Sequence, residues 1–344
     1  MAEKKLDAYL ITSPANRQYF TGIDTSFGAV VLANGKKFFF TDFRYEGYAR
    51  RSLTDFDVHI VTYAGLYEAV VAVLKETEVK TVGYEEQFVT VGEFKTMKAA
   101  LSGFTLKPAS DELFALRAVK TEEEIRKIVA AQRIAEKALT KVVPLIKPGV
   151  TEREISAELT FEMIRLGADG LAFENIVSFG ENSADPHHHP SDKKLDKNEL
   201  ILIDFGARKD GYCSDMTRTF TLGNPPEELK LIHNIVLEAQ AYALKHIKAG
   251  MTGKEADSLA REYIKANGYN KEFGHSLGHG VGIEIHEEPR LSLSCDTVLA
   301  PNMVVTVEPG IYIDGLGGVR IEDMIVVTED GVVDITNFNK DLNF

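Results

Sequence analysis

The sequence predicts a two-domain α/β (α+β) protein, and three observations carry that expectation. First, 344 residues exceed one average domain and suit two. Second, the first hundred or so residues alternate short strand-like and helix-like stretches. Third, the remainder contains a helix–helix–strand order that recurs about one hundred residues later, as an internal repeat would. Hydrophobic residues at 44% and charged residues at 26% are the ordinary globular mix, which excludes a disordered chain, a collagen-like fibre and a small disulfide scaffold.

In chain order, Asp7 to Thr12 reads as a buried strand. Phe27 to Ala33 and Lys37 to Thr41 read as strands joined by Asn34-Gly35, a dipeptide that tolerates the positive φ angles of a tight hairpin. Tyr67 to Lys75 has the spacing of a short amphipathic helix, and Thr81 to Tyr84 reads as another strand. Pro108, Ser110 and Asp111 then mark a break. Thr121-Glu122-Glu123-Glu124 opens a helix with a capping-box pattern, in which the threonine accepts from a first-turn amide and Glu124 reaches back. The boundary falls within residues 110–120, giving domains 1–115 and 116–344.

The second domain echoes itself. A helix from Ile134 runs to Lys147-Pro148-Gly149, and Thr151-Glu152-Arg153-Glu154 caps a second helix that stops near Gly167. Later, a helix through Ile235 to Lys248 ends at Gly250, and Thr252-Gly253-Lys254-Glu255 caps another that stops near Gly268. Duplication predicts a pseudo-twofold domain with a site between its halves; two independent helical hairpins are the alternative.

Composition narrows function by exclusion. The formal charge is −13, from 52 acidic against 39 basic residues, and an acidic surface repels phosphate backbones, so no nucleic-acid partner is expected. No run approaches the roughly 18 apolar residues of a membrane span. Met1 to Lys5 are charged and precede only a short apolar stretch, so no secretory signal is read. The two cysteines, Cys213 and Cys295, are expected reduced, in a cytoplasmic protein.

Five positions place metal-type ligands on or beside strands. Asp204 interrupts the apolar run Leu200 to Gly206. Asp215 follows Gly211-Tyr212-Cys213-Ser214. His279 lies in His275-Ser276-Leu277-Gly278-His279-Gly280-Val281-Gly282. Glu308 ends Val304-Val305-Thr306-Val307, and Glu322 lies in Val319-Arg320-Ile321-Glu322-Asp323. A buried carboxylate is costly unless paired, hydrogen-bonded or on a cation. Any one of these could be an ordinary ion pair, but Arg218 and Arg320 are the only arginines within the motifs. Four carboxylates and one imidazole suit Mn²⁺, Co²⁺ or Mg²⁺, and can hold two ions that activate a water for hydrolysis. His187 in Pro186-His187-His188-His189-Pro190, His275 and His286 accompany the set; a polar surface loop without a role is the alternative for the triplet. Cys213 reads as a small packing residue. Neither a phosphate loop nor a GxSxG elbow occurs.

With GHGVG, HEEP, VEPG and RIED in that order, the motifs resemble the pita-bread metallopeptidases, peptidase family M24. The N-terminal α/β block, the PHHHP segment and Asn16 to Gly22 (NRQYFTG) narrow the resemblance to its proline-specific branch, Xaa-Pro dipeptidase (prolidase) and aminopeptidase P. The resemblance implies a creatinase-like N-terminal domain, a pita-bread catalytic domain, a homodimer, and two divalent ions, Mn²⁺ or Co²⁺ with Zn²⁺ as a further possibility. It implies Asp204, Asp215, His279, Glu308 and Glu322 as ligands, Asp215 and Glu322 bridging, and Glu308 also taking a proton from the attacking water. It implies His187 and His286 as substrate and transition-state histidines, His275 on the proline side, Arg320 steadying the ligands, and Arg290 holding a dipeptide's C-terminal carboxylate. Hydrolysis of Xaa-Pro dipeptides is the leading expectation. Aminopeptidase P action on longer peptides and a non-catalytic peptide-binding module are the alternatives.

Overall fold

The computed structural model describes residues 6–343. The charged Met1–Lys5 stretch lies outside them. Two compact units divide the chain, Met1–Leu116 and Arg117–Phe344.

The first unit is built on a six-stranded sheet, in the order β4-β3-β2-β1-β5-β6. Its strands are β1 (Ala8–Ile11), β2 (Ala29–Ala33), β3 (Lys36–Thr41), β4 (Asp57–Ile60), β5 (Thr81–Tyr84) and β6 (Thr105–Pro108). The β2–β3 hairpin closes on the pair Ala33↔Lys36. Asn34 and Gly35 both take positive φ, 48° and 80°, as a two-residue turn of matching twist requires. Helices α1 (Pro14–Thr21), α2 (Glu46–Ser52), α3 (Leu66–Glu76), α4 (Val91–Ala100) and α5 (Ser110–Ala118) complete it. Alternation divides the apolar side chains between two cores. Phe38 and Phe40 join Val70, Val73 and Leu74 of α3 and Met97 of α4. Phe39 points the other way, into a core with Ala49 of α2 and Leu113 of α5.

The second unit opens with α6 (Glu122–Val142) and α7 (Glu152–Arg165), and resumes with α8 (Glu227–His246) and α9 (Gly253–Ala266). Thr121, Thr151 and Thr252 each complete the capping box with the glutamate three residues on. The halves share landmarks in register: Gly149, Thr151 and Gly167 bracket α7 as Gly250, Thr252 and Gly268 bracket α9. After α7 come β7 (Gly170–Leu171), β8 (Ile176–Phe179), β9 (Leu200–Phe205), β10 (Ala207–Lys209), β11 (Tyr212–Cys213) and β12 (Met216–Thr221). After α9 come β13 (Gly278–Gly280), β14 (Glu287–Leu291), β15 (Val304–Val307), β16 (Gly310–Ile313), β17 (Gly317–Arg320), β18 (Asp323–Val327) and β19 (Val332–Asp334). The main sheets run β12-β9-β8 and β14-β13-β15-β18-β19.

Each half has its own core. Ala135, Leu139, Ile155 and Leu159 pack on Ile201, Ile203 and Phe205 of β9. Val236, Ala239, Ala256 and Ala260 pack on Val305, Val307 and Ile325. The halves then join through side chains on strands: Thr219 of β12 donates to the Arg320 carbonyl at 2.9 Å and accepts from the Arg320 N–H at 3.2 Å. Helix α8 begins at Glu227, earlier than the expected Ile235, and its first two turns already bury Leu229, Ile232 and His233. Within the glycine-rich stretch, Gly278–Gly280 forms the short β13, with a register shift between His279 and Gly280.

Candidate metal centre

Strand alternation aims the ligand set. In β9, Ile201, Ile203 and Phe205 enter the core of the first half, which turns Asp204 to the opposite side. Asp204 lies opposite Thr217 of β12. Asp215 sits in the turn just before β12, His279 at the centre of β13, Glu308 one residue past β15, and Glu322 between β17 and β18. All except Glu308, which is half-buried, are buried.

These side chains converge. Asp215, His279 and Glu322 each offer one ligand atom, and the three atoms lie within 4.8 Å of one another. His279 Nδ1 is 3.1 Å from the Gly280 carbonyl. A carbonyl only accepts, so the proton sits on Nδ1 and leaves a lone pair on Nε2. That lone pair faces Asp215 Oδ2 at 3.6 Å and Glu308 Oε1 at 3.4 Å.

Other oxygens of the set are anchored by donors. Arg320 Nη2 donates to Asp204 Oδ2 at 2.5 Å. Thr217 Oγ1 donates to Glu322 Oε2 at 2.6 Å, and Thr306 Oγ1 to Glu308 Oε1 at 3.1 Å. Among the described residues, buried Asp204 Oδ1, Asp215 Oδ1 and Glu322 Oε1 have no hydrogen-bond partner. Burial, then the neighbouring carboxylates, push Asp215 and Glu322 well above the usual carboxylate range. Burial first pushes Glu308 up to about 8. Burial, then His286, takes His279 down to about 3, so its imidazole is neutral. Orphaned oxygens, a bare imidazole lone pair and mutually repelling carboxylates fit a divalent cation, which would reverse the repulsion.

Around the cluster is a cavity of about 420 Å³, lined by all five ligand residues and by His187, His275, His286, Arg290 and Arg320. The expected site residues are therefore brought together in one place. The His286 ring stands edge-on to that of His279, centroids 4.3 Å apart. Arg290 pairs in register with His279 across β13 and β14. Arg320 reaches three partners: Asp204, Thr217 Oγ1 at 3.1 Å and the Tyr312 hydroxyl at 2.6 Å. His275 Nδ1 is 2.8 Å from the Ser276 carbonyl, and its Nε2 is 3.0 Å from the Tyr312 hydroxyl. Tyr312 thus donates to His275 while accepting from Arg320. Burial takes His275 down to about 4 and the Tyr312 hydroxyl up to about 12.

All three histidines of the triplet line the cavity. His187 is exposed there, His188 turns its Nε2 to Glu152 at 2.8 Å, and His189 is solvent-exposed. Arg218 pairs with Asp323 at 2.8 Å and donates to the backbone carbonyl of Glu322 at 2.6 Å, without reaching a ligand carboxylate. Cys213 is buried, with its thiol pushed up to about 12 by burial, and does not line the cavity. Sequence reasoning missed Tyr312, Thr217 and Thr306. Thr306 had left a signal: a hydroxyl in an apolar strand, two residues before Glu308 and on the same face.

This donor set sits in a chain that matches the model of metallopeptidase family M24 over residues 126–329, and the Creatinase/Prolidase N-terminal domain over residues 1–119. The chain belongs to metallopeptidase family M24. This M24 enzyme is 40% identical over 344 residues to a Xaa-Pro dipeptidase of Pyrococcus furiosus, spanning 99% of this chain and 97% of that one. The structure of a Xaa-Pro dipeptidase from Bacillus anthracis superposes with a TM-score of 0.95 at 41% identity, covering 99% and 96% of the two chains. An X-Pro aminopeptidase from Thermotoga maritima superposes with a TM-score of 0.92, also at 41% identity, covering 98% and 97%. The fold is that of the pita-bread enzymes with a creatinase-like N-terminal domain, and the protein is a metal-dependent hydrolase. Among the described residues, no helix is long and apolar enough to cross a membrane.

Proposed function

We propose that this M24 metallopeptidase is an Xaa-Pro dipeptidase. The observation that carries the reading is Arg290 lining the same cavity as the five metal-type ligands. A guanidinium there suits a substrate whose carboxylate lies one residue beyond the scissile bond. Dipeptidase relatives at 40% and 41% identity support it.

In this reading residues 1–115 form the creatinase-like domain and 116–344 the catalytic one. Asp204, Asp215, His279, Glu308 and Glu322 hold two divalent ions, Mn²⁺ or Co²⁺ with Zn²⁺ as a further possibility. Bound there, such ions polarise a carbonyl and lower the pKa of a water. The chain's own groups do the rest. Glu308, held by Thr306, accepts the proton of the attacking water. His187 and His286 donate ring N–H groups to the carbonyl oxygen as it gains charge. Arg290 takes the C-terminal carboxylate. The Xaa-Pro amide carries no N–H, so recognition falls on the ring, on the side of His275. A homodimer rests on family resemblance, and a cytoplasmic setting on two unpaired cysteines.

Aminopeptidase P action on longer peptides is the second reading, favoured by the likeness to the Thermotoga maritima enzyme. Chelator-stripped protein, with and without added Mn²⁺ or Co²⁺, separates the two on an Xaa-Pro dipeptide and an Xaa-Pro-Xaa tripeptide. Metal-dependent cleavage of the dipeptide, lost in Arg290→Ala mainly through KM, is the expected outcome. Cleavage of the tripeptide alone would overturn the dipeptidase reading.

A further inference from the structure

Glu152 opens α7, and its carboxylate is fully buried. Five donors converge on it. The Phe179 N–H at 2.8 Å and Asn182 Nδ2 at 2.9 Å reach Oε1; His188 Nε2 at 2.8 Å, the Ser191 N–H at 2.9 Å and Ser191 Oγ at 2.6 Å reach Oε2. All five belong to one stretch of chain, residues 179–191. Near its middle stands His187, on the cavity. The peptide N–H of His187 is itself held by Asp185 Oδ1 at 3.1 Å, and Pro186 and Pro190 restrict the backbone on either side.

A buried carboxylate compensated in this way is an expensive means of stabilising a fold, since apolar residues of like volume usually serve as well or better. What five convergent bonds do provide is a fixed loop shape. The second half of the domain repeats the device. Asp257 of α9, also fully buried, accepts from the Leu277 N–H at 3.0 Å and pairs with Arg261 at 2.6 Å. Arg261 in turn donates to the carbonyls of Phe273 and His275 at 3.0 and 2.7 Å. Each half thus uses a buried carboxylate on its second helix to hold the loop that carries a cavity histidine.

We propose that Glu152 and His188 are a positioning pair: His188, although it lines the cavity, commits its Nε2 to Glu152, and the two fix the 179–191 loop so that the His187 imidazole stands in the cavity beside the ligand carboxylates. This rests on the reading above that His187 contacts the peptide. The pair acts on catalysis only through His187.

The test is a cycle on the Mn²⁺-loaded full chain: His187→Ala, His188→Ala, His188→Gln and the double alanine variant. For each, kcat and KM on an Xaa-Pro dipeptide, bound Mn²⁺ and the thermal midpoint are measured. His188→Ala should lower kcat/KM about tenfold or more, as a displaced catalytic group does, with bound metal unchanged. His188→Gln, which can still donate to Glu152, should recover most of it. The double variant should be no worse than His187→Ala alone, because coupled residues are not additive. Losses that multiply, a glutamine variant as poor as alanine, or full activity in His188→Ala would each overturn the proposal. A readout independent of turnover comes from the His187 ring resonances of Zn²⁺-loaded protein. They shift or broaden in His188→Ala and return in His188→Gln if the pair positions the ring; unmoved resonances overturn it. Moved resonances in a parent that cleaves no Xaa-Pro peptide would sink the substrate reading and leave the positioning pair standing.

Discussion

Thr217 spends one hydroxyl twice, donating to Glu322 Oε2 at 2.6 Å and accepting from Arg320 Nε at 3.1 Å. It therefore orients a ligand carboxylate and links it to the guanidinium that holds Asp204. Thr217→Val keeps the shape and removes both bonds. The expected result is a loss of about 10–100-fold in Mn²⁺ affinity or turnover, read by metal titration of a folded protein. Asp204 and Glu308 were legible in the sequence because a carboxylate within or ending an apolar strand needs a reason. Thr217 was not, because threonine is ordinary in strands. Tyr312 was illegible for another cause: its partners, Arg320 and His275, are supplied by tertiary structure. Away from the site, burial and then Asp323 push Asp334 up to about 6, from 3.8. A folded pKa above the unfolded one means that the fold holds its proton more tightly. The penalty for ionising Asp334 is absent below pH 3.8 and complete above about 6. Asp334→Asn should therefore melt higher than the parent at pH 8 and level with it at pH 3.5; a gain confined to acid would contradict the sign.

At the scale of elements, the threonine caps explain why the duplicated helices start where they do. Thr151 and Thr252 each accept from the N–H three residues on, at 3.1 and 3.2 Å, while the partner glutamate returns to the threonine N–H at 2.8 and 2.7 Å. Thr151→Ala or Thr252→Ala should cost about 1 kcal/mol, seen in denaturant midpoints with bound metal unchanged. Two losses well under half that size would mean that packing, not the cap, sets these starts. These boxes were readable because a strongly periodic helix follows. Thr90 and Glu93 form the same box, yet α4 passed unnoticed, since Met97 is its one buried residue and so it has little apolar stripe to find. The His187 loop was half-legible. Its histidines stood out, but the division of labour between His187 and His188 depends on Glu152, which the sequence presents only as part of a cap.

Over the second unit as a whole, the ligands come from both halves of the repeat. Asp204 and Asp215 belong to the first, and His279, Glu308 and Glu322 to the second, while each half keeps a separate apolar core. The pseudo-twofold echo was legible in the landmarks around α7 and α9, but which strands would face one another was not, because pairing across the halves has no local signature. A cation shared across that junction ties the halves together, whereas bare carboxylates push them apart. Metal should therefore stabilise the fold beyond its role in chemistry. An ion that binds the native state alone adds about 2.7 kcal/mol at a free concentration of 100 Kd. Chelation should lower the thermal midpoint and Mn²⁺ should restore it. Asp215→Asn separates the two effects. Without metal it should be at least as stable as the parent, because one of the crowded carboxylates has lost its charge. With Mn²⁺ it should gain less than the parent does, and it should not turn over. An Asp215→Asn variant with the parent's full metal-induced shift would show that the ions bind elsewhere, and the shared centre would have to be abandoned.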